Sequence, residues 1–174
     1  FKISGQKPII DFYLTGGTIS SKLDPKTGAV KWLINSKELF NIYPEIFQIA
    51  DIRVKSPFMK ASENMDSSDW IKIAKLVGKS LNDKNVKGVI ISHGTDFLHY
   101  TASALSFMLG KLNKPVVLTY SQRSSDRGSS DSRLNLICGE VHIIKGLDSA
   151  LMVTRDSFNY TQDVANLYQF FRDK

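Results

Sequence analysis

Two short, apolar, β-rich runs, each ending in a turn of glycine and hydroxyl residues, restrict this chain more than any other feature. Residues 8–14 (PIIDFYL) lead into Thr15-Gly16-Gly17-Thr18, and residues 86–92 (VKGVIIS) lead into His93-Gly94-Thr95-Asp96. Runs this short and apolar read as strands buried on both faces. Further strands are expected at 49–56, ended by Pro57, and at 115–119, 141–144 and 151–154. Helices are expected at 36–42, from Asp66 or Ser67 to about Leu81, at 100–109, at 133–137, and from a Thr161 cap to Phe171. In the second of these, Trp70, Ile73, Ala74, Val77 and Leu81 recur at helical spacing. Residues 20–30, with Pro25 and Gly28, read as a mobile loop, and 121–132 as a polar loop of Ser, Arg and Asp. Strands alternate with helices, which predicts an α/β fold: an open, mainly parallel sheet flanked by helices. In such sheets ligands bind at the carboxyl ends of the strands, where both threonine-bearing turns fall.

The 174 residues fit one domain, and 42% hydrophobic residues supply a core for it. No apolar run is long enough to span a membrane, and the opening residues lack an apolar signal core. Cys138 is the single cysteine, so no internal disulfide forms, which fits a reducing cytoplasm. The net charge of +6 permits attraction to nucleic acid and equally describes a solvated, lysine-rich surface. There is no zinc-ligand cluster, P-loop or GxGxxG stretch.

The first turn has two readings. Gly16 and Gly17 let the backbone approach a ligand and aim N–H groups at an oxyanion, with the Thr18 hydroxyl as nucleophile. Equally, it is a Gly-Gly turn with a threonine cap. In the second turn, Asp96 can hold an ammonium and Thr95 can relay a proton; alternatively, Asp96 is a capping residue. His93, ending an apolar strand, reads as a structural histidine before a base, and His99 and His142 are weaker candidates still.

Together, Thr15-Gly16-Gly17-Thr18-Ile19 and His93-Gly94-Thr95-Asp96 resemble the two signature stretches of bacterial-type L-asparaginases, and Ser62-Glu63-Asn64-Met65 resembles the substrate-binding stretch between them. The resemblance spans residues 9–135. Within that family, Ser62-Glu63-Asn64-Met65, His99-Tyr100-Thr101-Ala102 and Gln122-Arg123-Ser124-Ser125-Asp126-Arg127, followed by Ser129-Ser130-Asp131, are more similar to the D-type subunit of archaeal glutamyl-tRNA(Gln) amidotransferase. The resemblance implies amide hydrolysis of asparagine or glutamine through an acyl-enzyme, without metal or cofactor. It implies Thr18 as nucleophile, Thr95 and Asp96 in a Thr-Lys-Asp group, and Gly17, Ser62, Glu63 and Asp96 as substrate-binding residues. Asp96 also holds the α-ammonium, and Ser62 the α-carboxylate. It further implies a cytoplasmic homodimer, a partner amidotransferase subunit, and tRNA in the full complex.

Three departures stand out. The family loop after the first motif carries an activating tyrosine; residues 20–30 have none, and Pro25 stands about there. The catalytic lysine precedes an Arg-Asp-small-Phe stretch resembling Arg155-Asp156-Ser157-Phe158; counting back reaches Ser149, and the nearest lysine is Lys145. The chain, read as one N-terminal domain over 1–174, ends where the family's second domain begins. These departures keep open a catalytically silent amino-acid-binding or assembly domain. A third reading is a tRNA-binding module, with Arg123, Arg127 and Arg133 as phosphate contacts.

Overall fold

Strands whose side chains are apolar on both sides have to lie between two layers, and the molecule is built that way. The structure, a computed structural model, describes residues 6–32, 36–146 and 151–154. In chain order it holds β1 (Ile9–Leu14), the strands β2 (Ser21–Leu23) and β3 (Val30–Trp32), α1 (Ser36–Ile42), α2 (Ile46–Ile49) and β4 (Asp51–Lys55). There follow α3 (Ser67–Asn82), β5 (Val86–Ser92), α4 (Leu98–Leu109), β6 (Val116–Thr119), α5 (Ser132–Lys145) and β7 (Leu151–Thr154). The main sheet runs β4-β1-β5-β6-β7, with every pair parallel. The expected open parallel α/β sheet is therefore present.

Alternate strand residues face opposite layers. Ile10, Phe12, Leu14, Ile90 and Val117 pack with Tyr43, Ile46, Leu136 and Ile143 on the side of α2 and α5. Tyr13, Val89, Ile91, Val116 and Leu118 pack with Ile73, Val77 and Leu81 of α3 and with Leu98 and Leu105 of α4. Each such burial contributes roughly 1.5–3 kcal/mol. A one-residue slip would exchange the two layers, so packing holds the register. Asp66 starts α3 through a reciprocal cap: its carboxylate accepts from Ser68 N at 2.7 Å and Asp69 N at 3.3 Å, while Asp69 accepts from Asp66 N at 3.1 Å.

The crossovers β4-α3-β5 and β5-α4-β6 use one face of the sheet. The crossover β6-α5-β7 advances in the same direction on the other face, and so has the opposite hand. This placement swings residues 121–131 toward β2.

Two expectations are corrected. Residues 20–30 are not a free loop: β2 and β3 pair antiparallel as a hairpin. Gly28, at φ +67°, turns it, and Gly28 N donates to Asp24 O at 2.8 Å. The polar loop clamps the hairpin, with Ser125 N donating to Ser21 O at 3.0 Å and Leu23 N to Asp126 Oδ2 at 2.8 Å. Residues 133–137 and 141–144 are not a helix followed by a strand but parts of the single helix α5. Its buried face is Ser132, Asn135, Leu136, Gly139, Glu140 and Ile143. The spacing is helical, but four of these six positions are polar or glycine, which blurs the apolar period. Gly139 brings α5 close to β6: a Cβ there would stand 3.2 Å from Val117 Cγ1. The expected helix at 161–171 lies outside the described residues.

Glu140 is 1% exposed, and among the described residues neither of its carboxyl oxygens has a hydrogen-bond partner. Burial, with a smaller contribution from the Glu45 carboxylate, pushes its pKa from 4.5 up to about 9. Below pH 4.5 the folded and unfolded chains both hold this proton. Between 4.5 and about 9 only the unfolded chain releases it, and stability falls by about 1.4 kcal/mol per pH unit. The loss at pH 7 is about 3 kcal/mol. Glu140→Gln is expected to remove this slope and to recover about that amount at pH 7. Urea unfolding at pH 5, 7 and 9 measures it; a variant keeping the parent slope would refute the assignment.

Candidate active site

Leu14 and Ser92 end neighbouring strands in register, so the turns that follow β1 and β5 emerge side by side. The chain leaves β1 for β4 on one side and returns to β5 on the other, and ligand crevices form at such reversals.

The two turns meet backbone to backbone. A Cβ on Gly17, at φ +77°, would lie 2.3 Å from His93 O and 2.4 Å from Gly94 N. A Cβ on Gly16, at φ +129°, would lie 2.0 Å from Lys60 O. Beneath them, Thr15 N donates to Ser92 Oγ at 3.2 Å, and the Thr15 hydroxyl donates to Ser92 O at 2.5 Å. The Ser20 and Ser92 hydroxyls share a hydrogen bond of 2.6 Å. Thr15 is buried and committed to this network.

Thr18 is placed differently. It opens a 3-10 turn, Thr18–Ser20, and is half-buried. Its carbonyl accepts from Ser21 Oγ at 2.7 Å, while its hydroxyl has no partner among the described residues. It lines an open cleft of about 460 Å³. Ser21, Leu23 and Val30 form the hairpin wall of the cleft; Gln122, Arg123, Ser124 and Arg127 form the opposite wall.

At the second turn, the Thr95 hydroxyl donates to Asp96 Oδ1 at 3.0 Å, and Asp96 is exposed. Ser62 opens another 3-10 turn, Ser62–Asn64, and is 2% exposed. Its Oγ accepts from Phe97 N at 3.2 Å, and a Cβ on Gly94 would stand 2.6 Å from it. Glu63 is exposed. The three turns that carry Gly17 and Thr18, Ser62 and Glu63, and Thr95 and Asp96 thus touch one another at one sheet end, although Ser62, Glu63, Thr95 and Asp96 do not line the cleft beside Thr18.

His93 is buried behind the turns. Its Nδ1 lies 2.8 Å from Gly94 O, which only accepts, so Nδ1 carries the hydrogen and Nε2 has no partner among the described residues. Burial lowers its pKa below 6.5, so it is neutral. Among the described residues no group of three or more His, Cys, Asp and Glu is placed to hold a metal ion.

Residues 10–165 match the family model described as Asparaginase, N-terminal. The chain belongs to the asparaginase family. It is 53% identical over 131 residues to the D-type subunit of the glutamyl-tRNA(Gln) amidotransferase of Pyrococcus furiosus, covering 75% of this chain and 30% of that protein. It is 48% identical over 134 residues to the protein of the same name from Saccharolobus islandicus, covering 77% of this chain and 30% of that protein. The chain therefore spans about 30% of the length of these curated relatives. Among solved structures it superposes on the thermostable L-asparaginase from Thermococcus kodakarensis with a TM-score of 0.71 at 30% identity, covering 79% of this chain and 41% of that one. For the probable cytoplasmic L-asparaginase from Campylobacter jejuni the TM-score is 0.73 at 31% identity, covering 85% and 46%.

One residue expected in the site of this asparaginase-family chain is not there. Lys145 is exposed at the last position of α5. The start of α5 is near the carboxyl ends, where Asn135 Nδ2 donates to Tyr120 O at 2.8 Å. Its far end is at the amino ends: a Cβ on Gly88 would touch both Ile143 and Pro115 O. The helix carries Lys145 roughly 20 Å from Ser132, at about 1.5 Å per residue. Ser149 and the stretch 155–158 lie outside the described residues. Pro25 is exposed in the turn of the hairpin. Of the three arginines considered for phosphate contacts, Arg133 pairs with Glu45 at 2.6 Å and Arg123 donates to Ser129 Oγ at 2.6 Å. What sequence reasoning missed is the clamped hairpin and the wall it makes with Gln122 and Ser124. The available signal was the serine run, whose hydroxyls bind backbone carbonyls.

Among the described residues, no helix is long and apolar enough to cross a membrane.

Proposed function

We propose that this chain is the N-terminal domain of an amidohydrolase that releases ammonia from asparagine or glutamine, with Thr18 as nucleophile. The observation that carries the reading is the Thr18 hydroxyl, unpartnered among the described residues, in an open cleft and held by a Gly-Gly turn locked against the Thr95–Asp96 turn. Thr18 attacks the side-chain amide carbon, ammonia leaves, and water releases the acid. Asp96 holds the substrate ammonium, Thr95 relays the proton, and Ser62 and Glu63 bound the amino-acid end. Turn N–H groups stabilise the oxyanion. The similarity to the archaeal amidotransferase relatives supports a partner subunit, acting on tRNA, that takes the ammonia; a cytoplasmic homodimer belongs to the same proposal. On this reading a second domain from a neighbouring subunit closes the site.

The test is ammonia release from asparagine and glutamine by the full-length protein, with hydroxylamine added to trap the acyl-enzyme as a hydroxamate. Neither ammonia nor hydroxamate from either amide would overturn the reading. Pro25 in place of the loop tyrosine favours a second reading, a silent amino-acid-binding domain; it requires binding without ammonia release.

Two expected results follow from the site. Asp96→Asn keeps the volume and removes the charge, which should weaken amino-acid binding by about 1.5–3 kcal/mol, the value of a charge-assisted hydrogen bond. Unchanged affinity by calorimetry would reduce Asp96 to a cap. The 174-residue chain by itself should show almost no turnover, because an unclosed site admits water and weakens every electrostatic contact. Turnover near a typical ~10 s⁻¹ would show that these residues suffice.

A further inference from the structure

The candidate chemistry occupies the carboxyl end of the sheet, and a group of unpaired lysines occupies the other end. Lys79 lies in the last turn of α3, Lys84 in the turn after it, Lys87 at the start of β5, Lys111 between α4 and β6, and Lys145 at the end of α5. All five are exposed, and none has a hydrogen bond or ion pair among the described residues. They share one face. Lys114 Nζ donates to Asp83 O at 2.6 Å, joining the segment after α4 to the turn after α3. The contact of Gly88 with Ile143 and Pro115 joins the end of α5 to the same place. Of the carboxylates near this face, Asp83 is engaged by Arg53 at 3.2 Å, and Asp51 starts β4, on the far side of β1. Three lysines near the cleft are neutralised: Lys22 by Glu38, Lys31 by Asp24 and Lys60 by Asp69.

Gathering unpaired ammonium groups costs electrostatic self-repulsion. The carbonyl ends of α3 and α5 offset this for Lys79 and Lys145. Lys84 and Lys111 stand just past the carbonyl ends of α3 and α4 and share part of that offset, while Lys87, on β5, has no helix end of its own. We infer that this face binds the phosphodiester backbone of a folded nucleic acid. Point-charge ammonium groups on flexible stems suit phosphates and read no base sequence. Phe107, strongly exposed in the last turn of α4 four residues before Lys111, offers a ring for an unpaired base. This inference does not depend on the amide chemistry, because it concerns the opposite end of the sheet.

The experiment is fluorescence anisotropy with the full-length protein, a labelled RNA hairpin and a DNA duplex of equal length. If about five phosphates are neutralised, affinity should fall roughly 10²–10³-fold between 50 and 200 mM salt. The variant Lys84→Glu/Lys87→Glu/Lys111→Glu should weaken binding at least about tenfold and lower the salt slope by about 3. Lys26→Glu/Lys37→Glu/Lys72→Glu, with the same change in net charge away from this face, should bind like the parent. Should the first triple variant unfold, the corresponding Lys→Gln triple carries the same expectation at smaller size. Tighter binding of the hairpin than of the duplex assigns the face to RNA, and the reverse to DNA. Equal losses in both triple variants, no binding to either nucleic acid, or binding only to phosphatidylserine vesicles would overturn the inference.

Discussion

Thr18→Val is expected to bring amide hydrolysis down by about 10³-fold or more, to background, while leaving the fold intact. Valine keeps the branched shape and replaces only the hydroxyl. That hydroxyl binds nothing among the described residues, so its loss should change stability by no more than about 0.5 kcal/mol. Thr15→Val gives the internal contrast. Its hydroxyl is buried and donates to Ser92 O, so removal should cost about 1–3 kcal/mol. Activity per folded molecule should then survive better than in Thr18→Val. Parallel urea unfolding and ammonia assays separate the two effects. Normal turnover in a folded Thr18→Val protein would move the nucleophile elsewhere.

Gly17→Ala should destabilise the protein by about 3 kcal/mol or more and take hydrolysis down with it. Two costs combine: the positive φ disfavours any side chain by about 1–2 kcal/mol, and the new methyl group meets His93 O at 2.3 Å. Overpacking of that kind typically costs about 1–3 kcal/mol. Backbone cannot rotate aside as a side chain does, so one turn has to back away from the other. Gly28→Ala is the control. Its φ is +67°, yet a Cβ there meets nothing within 4 Å, so only the conformational cost remains. If both substitutions cost the same, the contact between the turns is not what holds the site.

The central strands were legible in the sequence because burial on both faces makes them short runs dominated by apolar residues, with Asp11 and Lys87 among the exceptions. Asp66 announced α3 because its cap lies immediately before an apolar helical repeat. Where polar residues face inward, the same reasoning failed: Asn135 and Glu140 turned α5 into an apparent helix and strand. Val30, Lys31 and Trp32 are exposed and short, so β3 offered no burial pattern to read. At the site, Thr18, Ser62, Thr95 and Asp96 were legible as motifs because each sits beside a glycine turn or in a recognisable stretch. Lys145 is close in sequence to the 155–158 stretch, and a helix that spans the sheet separates sequence neighbours in space. The partners that clamp Ser21 and Leu23 come from more than a hundred residues away, and no local pattern could announce them.

That separation also sets a timetable for synthesis. Leu23 and Asp126 are 103 residues apart, and a ribosome adds about 5–20 residues per second. The threonine leaves the ribosome first, and the second wall of its cleft follows roughly 5–20 s later. The inverted crossover through α5 comes later still, and it is what lays that wall against the hairpin. A nascent chain therefore displays the Gly-Gly turn before it possesses the cleft beside it. The cleft is completed late, when residues 121–131 fold over a hairpin that is already made.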